Sequence, residues 1–354
     1  MEIKTDLNAP LTDVVQPKPA AKKFISYIHN FRGIAIIYVV AAHILVGWPE
    51  GSVISRSFDV LWQNSTILFL FIAGYLFQHL SHKFEYKDYL VKKFQNVICP
   101  YLILSAPVIL YRVLYQDIPG FTTDVHPDFG TWNAWEQAGY YLLHGGHLQP
   151  LWFIPMISLY YLIAPVLLYI DRHPKLYYSL IPLFALSLII QRSVLSDTLV
   201  MAVHFLSVYV FGMFLSRYKD EFLEFARKYW IAITILPVVF LVATYFSSKE
   251  LYDRFDFTHK VLFCGFYIYW LWRLEKYIPK WIDILATYSF GIFFVHYFFV
   301  LAARGLFHKL FHQDVPGNIF AWTLNFALVM VLSVLCLKLA QKLLGKKSKF
   351  LVGI

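Results

Sequence analysis

The sequence predicts an all-α, polytopic membrane protein of about ten transmembrane helices, and three observations carry that expectation. Apolar residues make up 59% of the chain and charged residues only 15%, where a soluble domain has about 25% charged residues. Ten apolar segments, near 26–48, 59–80, 95–115, 148–170, 176–195, 198–216, 229–247, 258–274, 281–302 and 318–340, approach the roughly 20 residues that a bilayer crossing needs. Lysine and arginine alternate between the connections, with 21 on the side that holds the N-terminus and 6 on the other. By the positive-inside rule both termini are expected in the cytoplasm, which requires an even helix count.

Residues 1–23 are polar, contain Pro10, Pro17 and Pro19, and end in Lys22 and Lys23, the composition of a disordered cytoplasmic tail. The first apolar run is long enough to span and is expected to be retained rather than cleaved. Segments 176–195 and 198–216 are separated only by the polar break QRSVLSD, and 258–274 is short enough to lean on its aromatic flanks as interface anchors. The connection 116–147 holds no lysine or arginine, but it contains Asp117, Asp124, Asp128, His126, His144, His147, Trp132 and Trp135. It is expected to face outward. Beyond residue 340 the chain closes in a basic cytoplasmic tail over 341–354, so a further catalytic domain is not expected. The formal charge of +9 falls in these connections and reports orientation; the partner it implies is the bilayer, with no nucleic acid. Cys99, Cys264 and Cys336 lie in apolar segments without CxxC spacing, which suggests packing residues and no metal site.

The first segment carries the chemistry. Its stretch FRGIAIIYVVAAH sets Arg32 and His43 eleven residues apart, three turns on one face and about 16 Å in depth. Ionisable groups inside a membrane helix mark pathways or reaction sites, although an arginine near a helix end also serves as a snorkelling anchor. The ninth segment repeats the pattern in the same direction, with Ser289 and His296 seven residues apart in YSFGIFFVHY. His43 and His296 share one level and converge if these helices pack together. Lys92 and Lys93 suit either positive-inside residues or a binding cluster, and Trp152 either an interfacial belt or a sugar platform. No GxSxG, HExxH or P-loop pattern occurs, so those hydrolytic classes have no motif.

Taken together these stretches resemble the acyltransferase-3 family of multi-pass membrane acyltransferases, which modify surface carbohydrates. Arg32 and His43 within RGIA match its R-x10-H signature. LFLFIAGYLF is similar to its FFxxSGYL helix, with Ala73 where serine is usual. KDYLVKKFQNVICPYL resembles its RxxR-type run, with Asn96 where a second arginine is expected. LWFIPMISLYYLIAPVL and YSFGIFFVH resemble two further helices, so the likeness extends over residues 24–340.

The resemblance implies that an acyl group, commonly acetyl, passes from cytoplasmic acetyl-CoA to a glycan hydroxyl on the other side of a bacterial inner membrane. On that reading Arg32, with Lys92 or Lys93, holds the coenzyme phosphates. His43 is the general base or a transiently acylated nucleophile, His296, Ser289 or Tyr297 orients it or polarises the carbonyl, and Trp152 and Tyr297 face the acceptor. A transporter or flippase is the alternative, because the same ionisable residues would line a solute path; against it, no internal repeat is evident.

Overall fold

In the computed structural model, residues 25–49, 51–192 and 197–354 are described, with the backbone alone for Phe121. The tail expected over 1–23 lies outside them. Helix occupies each of the ten expected segments, but the boundaries differ where side chains intervene.

Helix α1 (Ser26–His43) stops short of residue 48 because Ile44 turns extended and the Gly47 N–H donates to Val315 O at 2.8 Å. His43 is therefore the last residue of the helix. The second segment splits into α2 (Val53–Trp62) and α3 (Thr66–His79). The split leaves the last carbonyls of α2 without helical partners. Buried Lys260 donates to two of them, Val60 O at 3.1 Å and Leu61 O at 2.6 Å, and sets a cation at the negative end of the helix dipole.

Next come α4 (Tyr86–Lys93), a π-helical turn over Phe94–Ile98 and α5 (Cys99–Tyr115). The wide turn precedes Pro100, which has no N–H to give a tighter helix. The connection 116–147 is a small cap. It contains α6 (Gly120–Val125) and α7 (Ala134–His144), the latter begun by a capping box between Asn133 and Glu136, around Ile109, Phe129 and Tyr141. Helix α8 (Phe153–Leu162) bends by 57° into α9 (Ala164–Arg172) at Pro165.

Helix α10 (Leu180–Ile190) is short, and α11 (Thr198–Arg217) starts at Asp197, whose carboxylate accepts from the Leu199 and Val200 N–H groups. Helices α12 (Lys219–Lys228) and α13 (Trp230–Phe246) meet at 87°. Helix α14 (Lys249–Arg273) begins nine residues before the expected start, because its charged first turns are helical too. The chain continues through α15 (Lys280–Phe311), α16 (Ile319–Leu344) and α17 (Ser348–Val352).

The architecture is all-α and the chain is an integral membrane protein. Among the described residues five helices are long and apolar enough to cross a membrane, or seven if each bent pair is one span. The other expected spans fall short for physical reasons. Helix α1 has 18 residues interrupted by Arg32, α10 has 11, and α14 opens with Lys249, Glu250, Asp253, Arg254 and Asp256. On α16, Leu324, Leu328, Val331, Leu335 and Leu339 are exposed at three- and four-residue steps, a continuous apolar stripe suited to lipid.

Two close approaches fix the frame of the site. A Cβ on Gly74 would lie 2.0 Å from Tyr209 O, and one on Gly212 would lie 2.1 Å from Phe71 O, so α3 and α11 meet at a separation that excludes any larger residue. Gly33 does the same for α1 and α15, where a Cβ would sit 2.6 Å from Ile282 O. Ten residues later on α1, His43 reaches His296 on α15. The two helices therefore run parallel, as the sequence led us to expect.

Candidate active site

Parallel packing of α1 and α15 brings the two histidines together, with ring centroids 5.3 Å apart; Tyr297 lies 5.7 Å from His43. Both imidazoles are held the same way. His43 Nδ1 lies 2.6 Å from Val39 O, and His296 Nδ1 lies 2.9 Å from both Ile292 O and Phe293 O. A carbonyl only accepts, so each Nδ1 carries the proton and each Nε2 presents a lone pair. His296 Nε2 is buried without a hydrogen-bond partner among the described residues. Tyr297 Oη donates to Gln149 Oε1 at 2.8 Å.

His43 lines a pocket of about 20 Å³ with Ser65, Thr66, Trp152 and Phe293, room for about one water molecule. Trp152 reaches it through a tight turn. Gly145 ends α7 at φ +70°, and a Cβ there would come within 2.4 Å of Trp152 Cα. Trp152 is buried and stacks on Phe205 at 6.1 Å, which excludes the belt reading.

Arg32 and Ser289 belong to a second, larger space of about 610 Å³. Lys92, Lys93, Lys83 and Lys349 line it with them, against Glu85 and Asp88. Arg32 makes no ion pair or hydrogen bond among the described residues. Lys93 Nζ lies 4.6 Å above the Tyr161 ring and 5.3 Å from that of Tyr89, a cation–π arrangement, and Lys92 is exposed at the rim. Ala73 and Asn96, where the resemblance expects serine and arginine, both face this cavity. Ser289 Oγ donates to Ala286 O at 2.9 Å. It sits two turns from His296 and does not join the histidines.

Phe69 and Phe153 line both spaces. They form a partition between the cationic cavity and His43, with Phe153 backed by Phe293 at 5.5 Å. Sequence reasoning missed this partition, and it missed Lys349. That lysine belongs to the stretch expected as a tail. Residues 345–352 instead form a short 3-10 turn and α17, folded back so that Gly353 packs on Phe290 and Phe294.

His147, in the connection before α8, is buried between Ser105 Oγ at 2.8 Å and Tyr141 O at 3.1 Å, and burial pushes its pKa down to about 4. His82, His308 and His312 are exposed.

Peptidoglycan O-acetyltransferase OatA of Listeria monocytogenes serovar 1/2a is 21% identical over 175 residues, 44% of this chain but only 26% of that protein's length. No solved structure matches the chain. The profile described as "Acyltransferase domain" matches residues 25–338, most of the described helices, with Arg32 and both histidines. The chain belongs to the acyltransferase-3 family and is a membrane acyltransferase.

Proposed function

We propose that this membrane acyltransferase moves an acetyl group from cytoplasmic acetyl-CoA to a glycan hydroxyl on the outer side of a bacterial inner membrane. One observation carries the reading: a cation-rimmed cavity that ends, behind two phenylalanines, at a histidine whose Nε2 makes no hydrogen bond among the described residues. The cavity size and its lysines suit a polyphosphate ligand with a long thin arm.

Arg32 takes the coenzyme phosphates through its planar fork, with Lys92 and Lys93 as added point charges. The pantetheine arm passes Ser289, whose Oγ lone pairs accept from an amide N–H, and the thioester slips between Phe69 and Phe153. His43 Nε2 removes the proton from the acceptor hydroxyl, and the oxygen attacks the thioester carbon. The C–S bond breaks, the thiolate leaves, and the imidazolium returns the proton to sulfur. An ester and free coenzyme A result. Val39 O holds the tautomer that makes Nε2 the base, His296 packs behind it, and Trp152 and Tyr297 border the acceptor's approach.

The test is binding of acetyl-CoA to detergent-purified protein, wild type against Arg32→Ala and His43→Ala, with coenzyme A release followed in the same samples. Saturable binding lost with Arg32 and release lost with His43 is the expected result. A folded wild type that binds no acetyl-CoA ends this choice of donor. Labelling near residue 130 from the outside only would accord with cytoplasmic termini; labelling from the inside only would invert them.

A further inference from the structure

Attack on a thioester puts negative charge on its carbonyl oxygen. As the acceptor oxygen bonds to carbon, the carbonyl π pair moves onto oxygen, and a hydrogen-bond donor already in place there lowers the barrier. The side chains that the sequence offers for this role are occupied. His296 gives its Nδ1–H to Ile292 O and Phe293 O, which leaves Nε2 an acceptor. Tyr297 donates to Gln149 Oε1, and Ser289 donates to Ala286 O and lines the larger cavity.

Ser65 is a donor without an acceptor. It lines the His43 pocket beside Thr66, is 4% exposed, and its Oγ makes no hydrogen bond among the described residues. A serine before a helix ordinarily turns its Oγ onto the N–H groups of the first turn, from an extended backbone. Ser65 precedes α3 without capping it, because its own backbone is already helical, at φ −61° and ψ −14°. A buried hydroxyl without a partner is costly to keep, and an oxygen of the ligand would satisfy it.

The break between α2 and α3 holds this serine against α1. Asn64 turns left-handed at φ +56°, Lys260 takes the carbonyls of Val60 and Leu61, and Gln63 Nε2 donates to Ala42 O at 3.4 Å, one residue before His43. The pocket itself is about 20 Å³, room for one water and so for one carbonyl oxygen. Phe69 and Phe153 border it on the side of the larger cavity, from which the thioester comes.

We infer that Ser65 is a further catalytic residue, its hydroxyl donating to the thioester carbonyl oxygen and holding the oxyanion while His43 Nε2 carries the acceptor's proton. This inference rests on the acyltransfer reading above and adds the group that polarises the carbonyl. No proton leaves Ser65: when the C–S bond breaks, the electron pair returns to the carbonyl, the imidazolium protonates sulfur, and the hydroxyl is released with the product.

The experiment uses detergent-purified full chain with acetyl-CoA carrying carbon-13 at the carbonyl. Infrared spectroscopy reads the carbonyl band of the bound thioester, coenzyme A release is followed at saturating donor with water as the acceptor, and equilibrium dialysis gives the affinity that reports folding. A hydrogen bond lowers a carbonyl's stretching frequency, so the wild-type band is expected below that of free acetyl-CoA. Ser65→Ala should return the band to the free position and slow release by about 10²–10³-fold, with affinity for acetyl-CoA within a few-fold of wild type. Ser65→Thr, which keeps the hydroxyl, should keep the lowered band. A wild-type band at the free position, a lowered band that survives S65A, or release slowed in S65A with the band unmoved overturns the assignment. Loss of the lowered band in Thr66→Val or Trp152→Phe but not in S65A moves the donor to those side chains and overturns it too. A folded wild type that binds no acetyl-CoA instead overturns the donor reading, so the two failures are separable.

Discussion

The cavity around Arg32 and the pocket around His43 lie along one helix and have little else in common. The first is wide, about 610 Å³, and lined with lysines on a short helix, a turn and a folded-back segment. The second is close-packed, about 20 Å³, with His43 and Phe293 on the parallel α1 and α15 and Trp152 on the short turn that precedes α8. The difference separates recognition from chemistry. A charged ligand can be gathered by mobile cations in a wide mouth, whereas a base must have its tautomer and position fixed to a fraction of an ångström.

Removing His43 tests the comparison most severely. His43→Ala should lower acetyl transfer by about 10²–10⁴-fold and leave the acetyl-CoA dissociation constant within a few-fold of wild type; transfer at full rate would mean that the small pocket is not the reaction centre. Arg32→Ala should raise the KM for acetyl-CoA by roughly 10–100-fold, the worth of charge-assisted bonds, with little change in kcat. If kcat falls and KM does not, recognition and chemistry are not divided along α1. Phe69→Ala opens the partition, and coenzyme A release without acceptor should rise about fivefold relative to transfer as water reaches the thioester. An unchanged ratio would show that the two phenylalanines separate nothing. Lys92→Ala should have the smallest effect, about two- to threefold on KM and fading in high salt, because this side chain is exposed at the rim. A large salt-independent loss would place Lys92 inside the recognition site.

Much of the site was legible because membrane helices tolerate so few ionisable residues. Arg32, His43 and His296 stand out from their apolar surroundings, and their rise along parallel helices gives their relative depth. The ten segments were legible by apolar run length. What run length cannot report is side-chain rescue: the charged start of α14 reads as a loop, yet it is helical, with Asp256 and Lys260 buried. Phe69 and Phe153 were hidden among 33 phenylalanines, where nothing local distinguishes a partition from packing. Lys349 was read as tail because the contact that makes it part of the cavity comes from a fold-back, which leaves no periodic trace.

The Phe69–Phe153 partition also bears on the membrane as an insulator. A solute carrying charge across a bilayer works against the potential, about 2.3 kcal/mol per elementary charge per 100 mV. Two aromatic rings and a pocket the size of one water admit no hydrated ion. On the proposed reading what passes the two rings is a two-carbon acyl group on its thioester sulfur, small and uncharged, so its transfer is electrically silent: the phosphates never enter the field, no counter-ion has to follow, and the enzyme can work without short-circuiting the membrane that contains it.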